Sequence, residues 1–379
     1  MAHAVAQGWS LGAAIRPCIA ISSASAYALY TFSAPSKYTA RNTTIIFILS
    51  ATFLRRFNDL FPDDQLNSIF AHGVLIWLIH IAHVALIRRN DGLTAATNPA
   101  SKVNLSPFYQ AYKMLYNYRG INTSWQVVKT PQTPSTPSSL PSARTDFLPR
   151  QLFTIFIRYL ALALFYEVSE LLNSSPTYLS QMHTAARTYL TLNFVLHNYL
   201  LLSSLHELLS ILFIYVLRLD EPHEWPPLYG DIREAYTVRR FWSYFWHRLV
   251  YAPFRAVADE ISDRVWGKGE YGRRMVNVCL VFLLSGAIHS VIDWKRGWCN
   301  CWGSGWFYVI QPLAFAMESV VQGVWAPVRR RCFVPGSRRV VTFESILGYV
   351  WVWTWFLWLY PQRTIWEVSC LRARVSVSS

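Results

Sequence analysis

Long apolar runs recur along this chain, and they restrict its fold more than any other feature. A helix that crosses a bilayer needs about 20 mostly apolar residues. Eight windows of the 379-residue sequence approach or meet that length: 18–34, 43–57, 68–87, 151–172, 188–217, 275–293, 304–325 and 341–361. The clearest is 68–87, which contains Leu75-Ile76-Trp77-Leu78-Ile79 and stops at Arg88-Arg89, whereas 18–34 and 43–57 are short and rich in serine and threonine. The 188–217 run is longer than one crossing requires, so it is tilted or continues as an interfacial helix. With 53% hydrophobic and 15% charged residues, the chain is too apolar for an ordinary soluble enzyme. The expected fold class is all-α, a polytopic membrane protein with about 8 transmembrane helices and a range of about 7–9.

The net charge of +14 could suit nucleic acid, but the basic residues lie between apolar runs and not on one polar domain. Positive-inside topology and an anionic membrane face explain them better, so a lipid bilayer is the expected partner and nucleic acid is not. Arg329-Arg330-Arg331 and Arg338-Arg339 mark one cytoplasmic loop. Counting back, 294–303 is lumenal and the polar insertion 218–274 is cytoplasmic. Counting Arg88 and Arg89 at its border, the segment 90–150 carries eight basic residues against Asp91 and Asp146 and contains the Pro/Ser/Thr tract 130–141, so it is expected as a cytoplasmic linker, extended or disordered. Its Asn122-Thr123-Ser124 sequon then goes unused. The expected organisation is N-terminal spans at 1–89, the linker at 90–150, a catalytic membrane domain at 151–361 and a lumenal tail at 362–379. The first apolar run is broken by Arg16-Pro17 and lacks a basic n-region, which argues against a cleavable signal peptide. The six cysteines show no paired spacing with histidines, so no zinc site is expected, and Cys299 and Cys301 are expected to remain thiols.

Two histidines stand out for chemistry. His247 ends the aromatic stretch Phe241-Trp242-Ser243-Tyr244-Phe245-Trp246, which suits a membrane interface. His289 lies in the apolar run Phe282-Leu283-Leu284-Ser285-Gly286-Ala287-Ile288-His289. A buried neutral imidazole can take a proton from a hydroxyl, as a general base must. Spacing alone also fits a structural histidine, with Ser285-Gly286 serving close helix packing and the aromatic stretch serving as an interfacial anchor. His80 and His83 share a helix face, but no carboxylate stands at a spacing that would complete a metal site.

Pro227-Leu228-Tyr229-Gly230 with the Phe241–His247 block resembles the wax-synthase signature of a P-x-x-G turn and an F-W-x-x-x-W-H block. Residues 282–289 resemble that family's F-x-x-S-G-x-x-H helix, and Gln311-Pro312 with Glu318 resembles its Q-P-x-x-x-x-x-E segment. The resemblance covers about residues 220–325 and is to a family similar to the membrane-bound O-acyltransferases, MBOAT-like in fold. It implies acyl transfer from coenzyme A to an alcohol, with no bound cofactor and with acyl-CoA and a hydroxylated lipophilic acceptor as partners. By the resemblance, His289 is the base and His247 orients donor or acceptor. Trp246, Phe241, Trp242, Arg240, Arg248, Ser285 and Glu318 then line the substrate and acyl-CoA site. Cytoplasmic Arg233, Arg239, Lys268, Arg273 and Arg274 are further candidates for the coenzyme A phosphates. Phe245 stands where the family often carries arginine, which leaves the phosphate contact there in doubt.

The Pro/Ser-rich insert and compact size resemble the family's fungal branch, which includes acetyltransferases of terpenoid and meroterpenoid pathways. The resemblance therefore implies acetyl-CoA as donor and a hydroxylated apolar polycycle as acceptor, in the membrane of the endoplasmic reticulum. Wax-ester synthesis from a long-chain alcohol is the alternative. A Mg²⁺-dependent intramembrane prenyltransferase would use aspartate pairs such as Asp59/Asp63 and Asp259/Asp263. A transporter would use Glu167, His197 and Glu207 as coupling groups, but its internal symmetry is missing.

Overall fold

The computed structural model describes residues 10–33, 39–91, 106–123, 125–127, 142–173, 184–266, 273–334 and 337–378. Every regular element among them is a helix. Six of these helices are long and apolar enough to cross a membrane: Asp64–Ala85, Phe147–Val168, Thr184–Val216, Arg273–Lys295, Trp302–Cys332 and Arg338–Glu367. They correspond to six of the eight expected spans. The other two are also helices, α1 (Leu11–Ser33) and α2 (Thr39–Arg56), but their alanine, serine, threonine and arginine content keeps them below that apolarity. Outward-facing Phe153, Phe156, Leu164, Val320, Val324 and Leu347 are large and exposed, as side chains that meet lipid must be.

The chain divides into two compact units, and neither is one continuous stretch. The first comprises residues 1–127, 249–312 and 369–379. Its core is built on α1, α2, α3 (Asp64–Asp91) and α4 (Pro107–Leu115). Ala20, Ala24 and Ala28 recur every four residues on α1 and are buried, so this face lets α2 approach closely. Phe32, Phe53, Phe57, Trp77 and Ile81 fill the space behind them.

Residues 106–127 correct the expectation of a linker over 90–150. Ser106 caps α4 by accepting from the Tyr109 amide at 3.3 Å, and Ala111, Met114 and Leu115 enter the same core. His80 donates from Nε2 to the Met114 carbonyl at 2.9 Å. Arg119 is buried, and burial lowers its pKa to about 10. Polarity suggested solvent here, but caps and local hydrogen bonds let the segment pack. The tract 130–141 lies outside the described residues.

The same unit holds α9 (Tyr251–Trp266), α10 (Arg273–Lys295) and α11 (Trp302–Val309), with α9 against both α3 and α10. Cys299 corrects a second expectation, because it is bonded to Cys370 across 71 positions while Cys301 remains a thiol. The expectation compared Cys299 only with its near neighbour. Its partner lies 71 positions further on, in the C-terminal tail.

The second unit comprises residues 128–248 and 313–368. It contains α5 (Ser142–Asn173), the broken helix α6 (Thr184–Leu192) and α7 (Asn198–Ser210), the short α8 (Val238–Arg240), most of α12 (Gln311–Cys332) and most of α13 (Arg338–Ser378). Single π turns at 193–197 and 211–216 interrupt the long 184–216 helix. Glu207 is paired with Arg158 of α5, which accounts for a carboxylate within an apolar span.

Candidate active site

Helices α3 and α10 run antiparallel and are tied together at one end. Arg296 donates from Nε to Asp64 at 2.9 Å, and Asn58 Nδ2 donates to the Lys295 carbonyl at 3.0 Å. His72 lies eight residues along α3 from Asp64, and His289 seven residues back along α10 from Arg296. At 1.5 Å of rise per residue, both stand about 11 Å from the tie, so the two rings arrive at the same depth. His72 Nε2 and His289 Nδ1 are 2.9 Å apart, with ring centroids 4.3 Å apart. His72 Nδ1 lies 2.7 Å from the Ser68 carbonyl oxygen.

The other face of His289 is covered by Tyr308 of α11, stacked at 4.3 Å with 14° between the planes. Gly286 makes this possible. A Cβ there would come within 2.8 Å of the Gly305 carbonyl oxygen, so only glycine lets α11 lie this close. Ser304 of α11 donates to the buried carboxylate of Asp293, one turn beyond His289. Ser285 is half-buried one turn before His289 on the same helix face. The F-x-x-S-G-x-x-H pattern thus encodes a helix contact as well as an imidazole.

The aromatic stretch is a packing node in the second unit. Trp246 is buried, stacked on Phe194 at 5.0 Å and on Phe241 at 5.3 Å, and Phe241 meets Phe356 of α13 at 4.7 Å. Trp242 is half-buried at its edge and meets Trp246 at 5.7 Å. The P-x-x-G turn locks the node from below: Gly230 donates its amide to the Phe245 carbonyl at 2.8 Å. A Cβ on Gly230 would stand 1.9 Å from the Tyr244 carbonyl oxygen, so this crossing of two backbones requires glycine. His247 follows the node, half-buried, with its ring 5.7 Å from Tyr229 and edge-on to it.

Glu318 is buried and fastened. Its carboxylate accepts from the backbone amides of Val238, at 2.5 Å, and Arg239, at 3.1 Å, and from the Trp351 indole at 2.9 Å. A carboxylate on the first amides of a helical segment satisfies donors that have no partner within the segment. Glu318, expected in the substrate site, has its carboxylate engaged by groups of its own chain and holds the segment that opens the aromatic stretch.

The arginines divide in the same way. Arg240 pairs with Glu234 and lies over the rings of Tyr236, at 4.3 Å, and Tyr244, at 4.4 Å. Arg239 donates to the Phe315 carbonyl at 2.9 Å, and Arg273 pairs with Asp263 at 2.9 Å and lies 3.5 Å from Asp259. Arg233 is exposed beside Asp231 and holds that carboxyl below the usual carboxylate range. Arg248 is buried and Arg274 is exposed in the first turn of α10, while Lys268 lies outside the described residues. The expected phosphate cluster thus consists largely of structural arginines. Asp259 is also bonded to Arg255, at 2.8 Å, and to Asn277, so the Asp259/Asp263 pair is held by protein groups.

His72 and Tyr308 are the residues sequence reasoning missed. His72 was visible only as one of three histidines on the same span. Its link to His289 joins positions 217 apart.

Residues 225–310 match the Membrane bound O-acyl transferase family, so the match takes in the aromatic node, His289 and Tyr308. Among curated relatives, acetyltransferase atnC of Arthrinium sp is 27% identical, over 78% of this chain and 76% of its own length. Acetyltransferase pyr8 of Aspergillus fumigatus is 24% identical over 93% and 88%, and acetyltransferase spyB of the same species 27% over 73% and 51%. This chain thus spans about half of spyB and most of the other two. No solved structure matches the chain. The chain is thus an enzyme similar, over residues 225–310, to the membrane bound O-acyl transferases and, along most of its length, to fungal acetyltransferases, with six helices apolar enough to cross a membrane.

Proposed function

We propose that the protein transfers an acetyl group from acetyl-CoA to a hydroxyl of an apolar, polycyclic secondary metabolite of terpenoid or meroterpenoid type, in the membrane of the endoplasmic reticulum. The observation that carries the reading is His289, half-buried in an apolar helix between His72 and Tyr308, in a chain whose relatives are named acetyltransferases. His289 accepts the proton of the acceptor hydroxyl as the oxygen attacks the thioester carbonyl carbon. The tetrahedral oxyanion then collapses, the carbon–sulfur bond breaks, and the departing coenzyme A thiolate takes the proton from His289. The products are the acetate ester and free coenzyme A. Arg274 is the candidate for the donor phosphates, because it is exposed where the other arginines are engaged.

The test uses membranes carrying the protein, labelled acetyl-CoA or palmitoyl-CoA, and a panel of hydroxylated polycycles with one long-chain alcohol. Acetyl transfer to a polycycle is expected. His289→Ala should lower turnover by about 10²–10⁴-fold, the usual worth of general-base catalysis, at unchanged protein amount. Palmitoyl transfer to the long-chain alcohol alone would replace this reading with wax-ester synthesis. Full turnover in His289→Ala would remove His289 from the chemistry.

A further inference from the structure

The histidine pair across α3 and α10 fixes more than contact. The Ser68 carbonyl can only accept, so the 2.7 Å contact places a proton on His72 Nδ1. A neutral His72 then has its lone pair on Nε2, and the 2.9 Å contact requires His289 Nδ1 to be the donor. The lone pair of His289 is thereby assigned to Nε2, on the opposite side of the ring. Stacking by Tyr308 holds the ring plane, and the tie from Arg296 to Asp64 holds the two helices in register.

We propose that His72 is a positioning residue for the transfer: it selects the Nδ1–H tautomer of His289, directs the basic Nε2 at the acceptor hydroxyl, and stabilises the imidazolium formed when that proton arrives. The role of His72 rests on the acetyl-transfer reading, whereas the tautomer assignment does not. It places part of the catalytic machinery on a helix outside the family-matched residues 225–310. Because the His289 Nδ1–H bond to His72 becomes charge-assisted once His289 is protonated, it strengthens along the reaction.

Two substitutions separate positioning from packing. The amide of asparagine reaches about as far as a histidine Nδ1, and that of glutamine about as far as Nε2. His72→Asn can keep the bond to Ser68 but not the one to His289, whereas His72→Gln can accept from His289 Nδ1–H. In membranes with equal protein amounts, His72→Asn should lower kcat by about 10²-fold and His72→Gln by less than about 10-fold. The KM for acetyl-CoA should stay within about twofold in both, because neither change touches donor binding. Equal losses in the two variants, or wild-type kcat in His72→Asn, would overturn the proposal.

A second arm is independent of turnover. In ¹⁵N-histidine-labelled protein in lipid, the signals lost in His289→Gln should report one tautomer, with a protonated Nδ1 and a bare Nε2. The opposite tautomer, or a mixture, would overturn the assignment. If the wild-type protein transferred no acyl group, the functional reading would fall, and the spectrum would still decide the pairing.

Discussion

His289, within helix α10, and His247, just past the end of a helical turn, both have aromatic neighbours, yet their neighbourhoods are assembled from opposite materials. Around His289, polar atoms meet polar atoms within a helix, as Ser68 with His72, and between neighbouring elements: His72 with His289, Asp293 with Ser304 and Arg296 with Asp64. Around the stretch before His247, rings meet rings, and the polar groups present, Glu318 and Arg240, are spent on holding backbone and loop in place. The aromatic block is the stronger mark in the sequence, but its atoms serve packing. The histidine pair leaves a fainter mark, and its atoms are the ones to which the proposed proton transfer is assigned. Density of motif and density of chemistry are separate properties of this chain.

The largest expected effect tests the aromatic side of that contrast. Gly230→Ala places a methyl group into the Tyr244 carbonyl oxygen, and backbone cannot step aside as a flexible side chain does. Overpacking at such a site costs about 3 kcal/mol, so the variant should accumulate poorly and lose its folded fraction in detergent on mild heating. His289→Ala, by comparison, should accumulate normally and lose turnover by about 10²–10⁴-fold. If Gly230→Ala folded normally and lost only turnover, the node would be part of the active site and the contrast would collapse.

The next effect sharpens the polar side. Arg296→Met removes the tie to Asp64 while keeping most of the apolar stem. The helices still pack, but the register that brings His72 and His289 to equal depth loses a constraint. A kcat reduced by about 10-fold, a loss of about 1.4 kcal/mol in the barrier, is expected with stability little changed. Loss of KM alone would show instead that this end of the helices serves substrate entry.

What could be read from the sequence follows from how local each signal is. Apolar windows gave six of the helices long and apolar enough to cross a membrane, and the imidazole in an apolar run marked His289 as a candidate that the family resemblance, not the spacing, singled out. Hydropathy failed at residues 106–127 because a short segment with a serine cap and satisfied amides can be buried despite its polarity. At Glu318 the signal was the motif resemblance, and a motif position cannot say that a carboxylate meets the amides of its own chain. His72 was invisible as a partner because helix periodicity relates residues three or four apart and carries nothing about a helix 217 positions away. The same limit hid the bond between Cys299 and Cys370.

That bond supplies the smallest expected effect, and it separates fastening from chemistry within the histidine-bearing unit. Cys299 lies three residues beyond Arg296, and a chain-entropy treatment of a bond closing 71 positions gives about 4 kcal/mol. The segment it closes contains the apolar helices Trp302–Cys332 and Arg338–Glu367. If both stay inserted when tertiary packing is lost, the lipid already keeps the two cysteines at one membrane face, and the bond removes far less freedom than it would in water. Cys370→Ser should therefore cost about 1 kcal/mol in lipid, with turnover within about twofold of wild type. In intact microsomes, Cys299 and Cys370 should resist a membrane-permeant maleimide until reduced, while exposed Cys332, beside the Arg329-Arg330-Arg331 cluster expected on the cytoplasmic side, should react with an impermeant one. A stability loss near the full aqueous value would mean that the intervening helices leave the bilayer on unfolding, and labelling of Cys299 without reduction would mean that its bond to Cys370 does not form in the membrane.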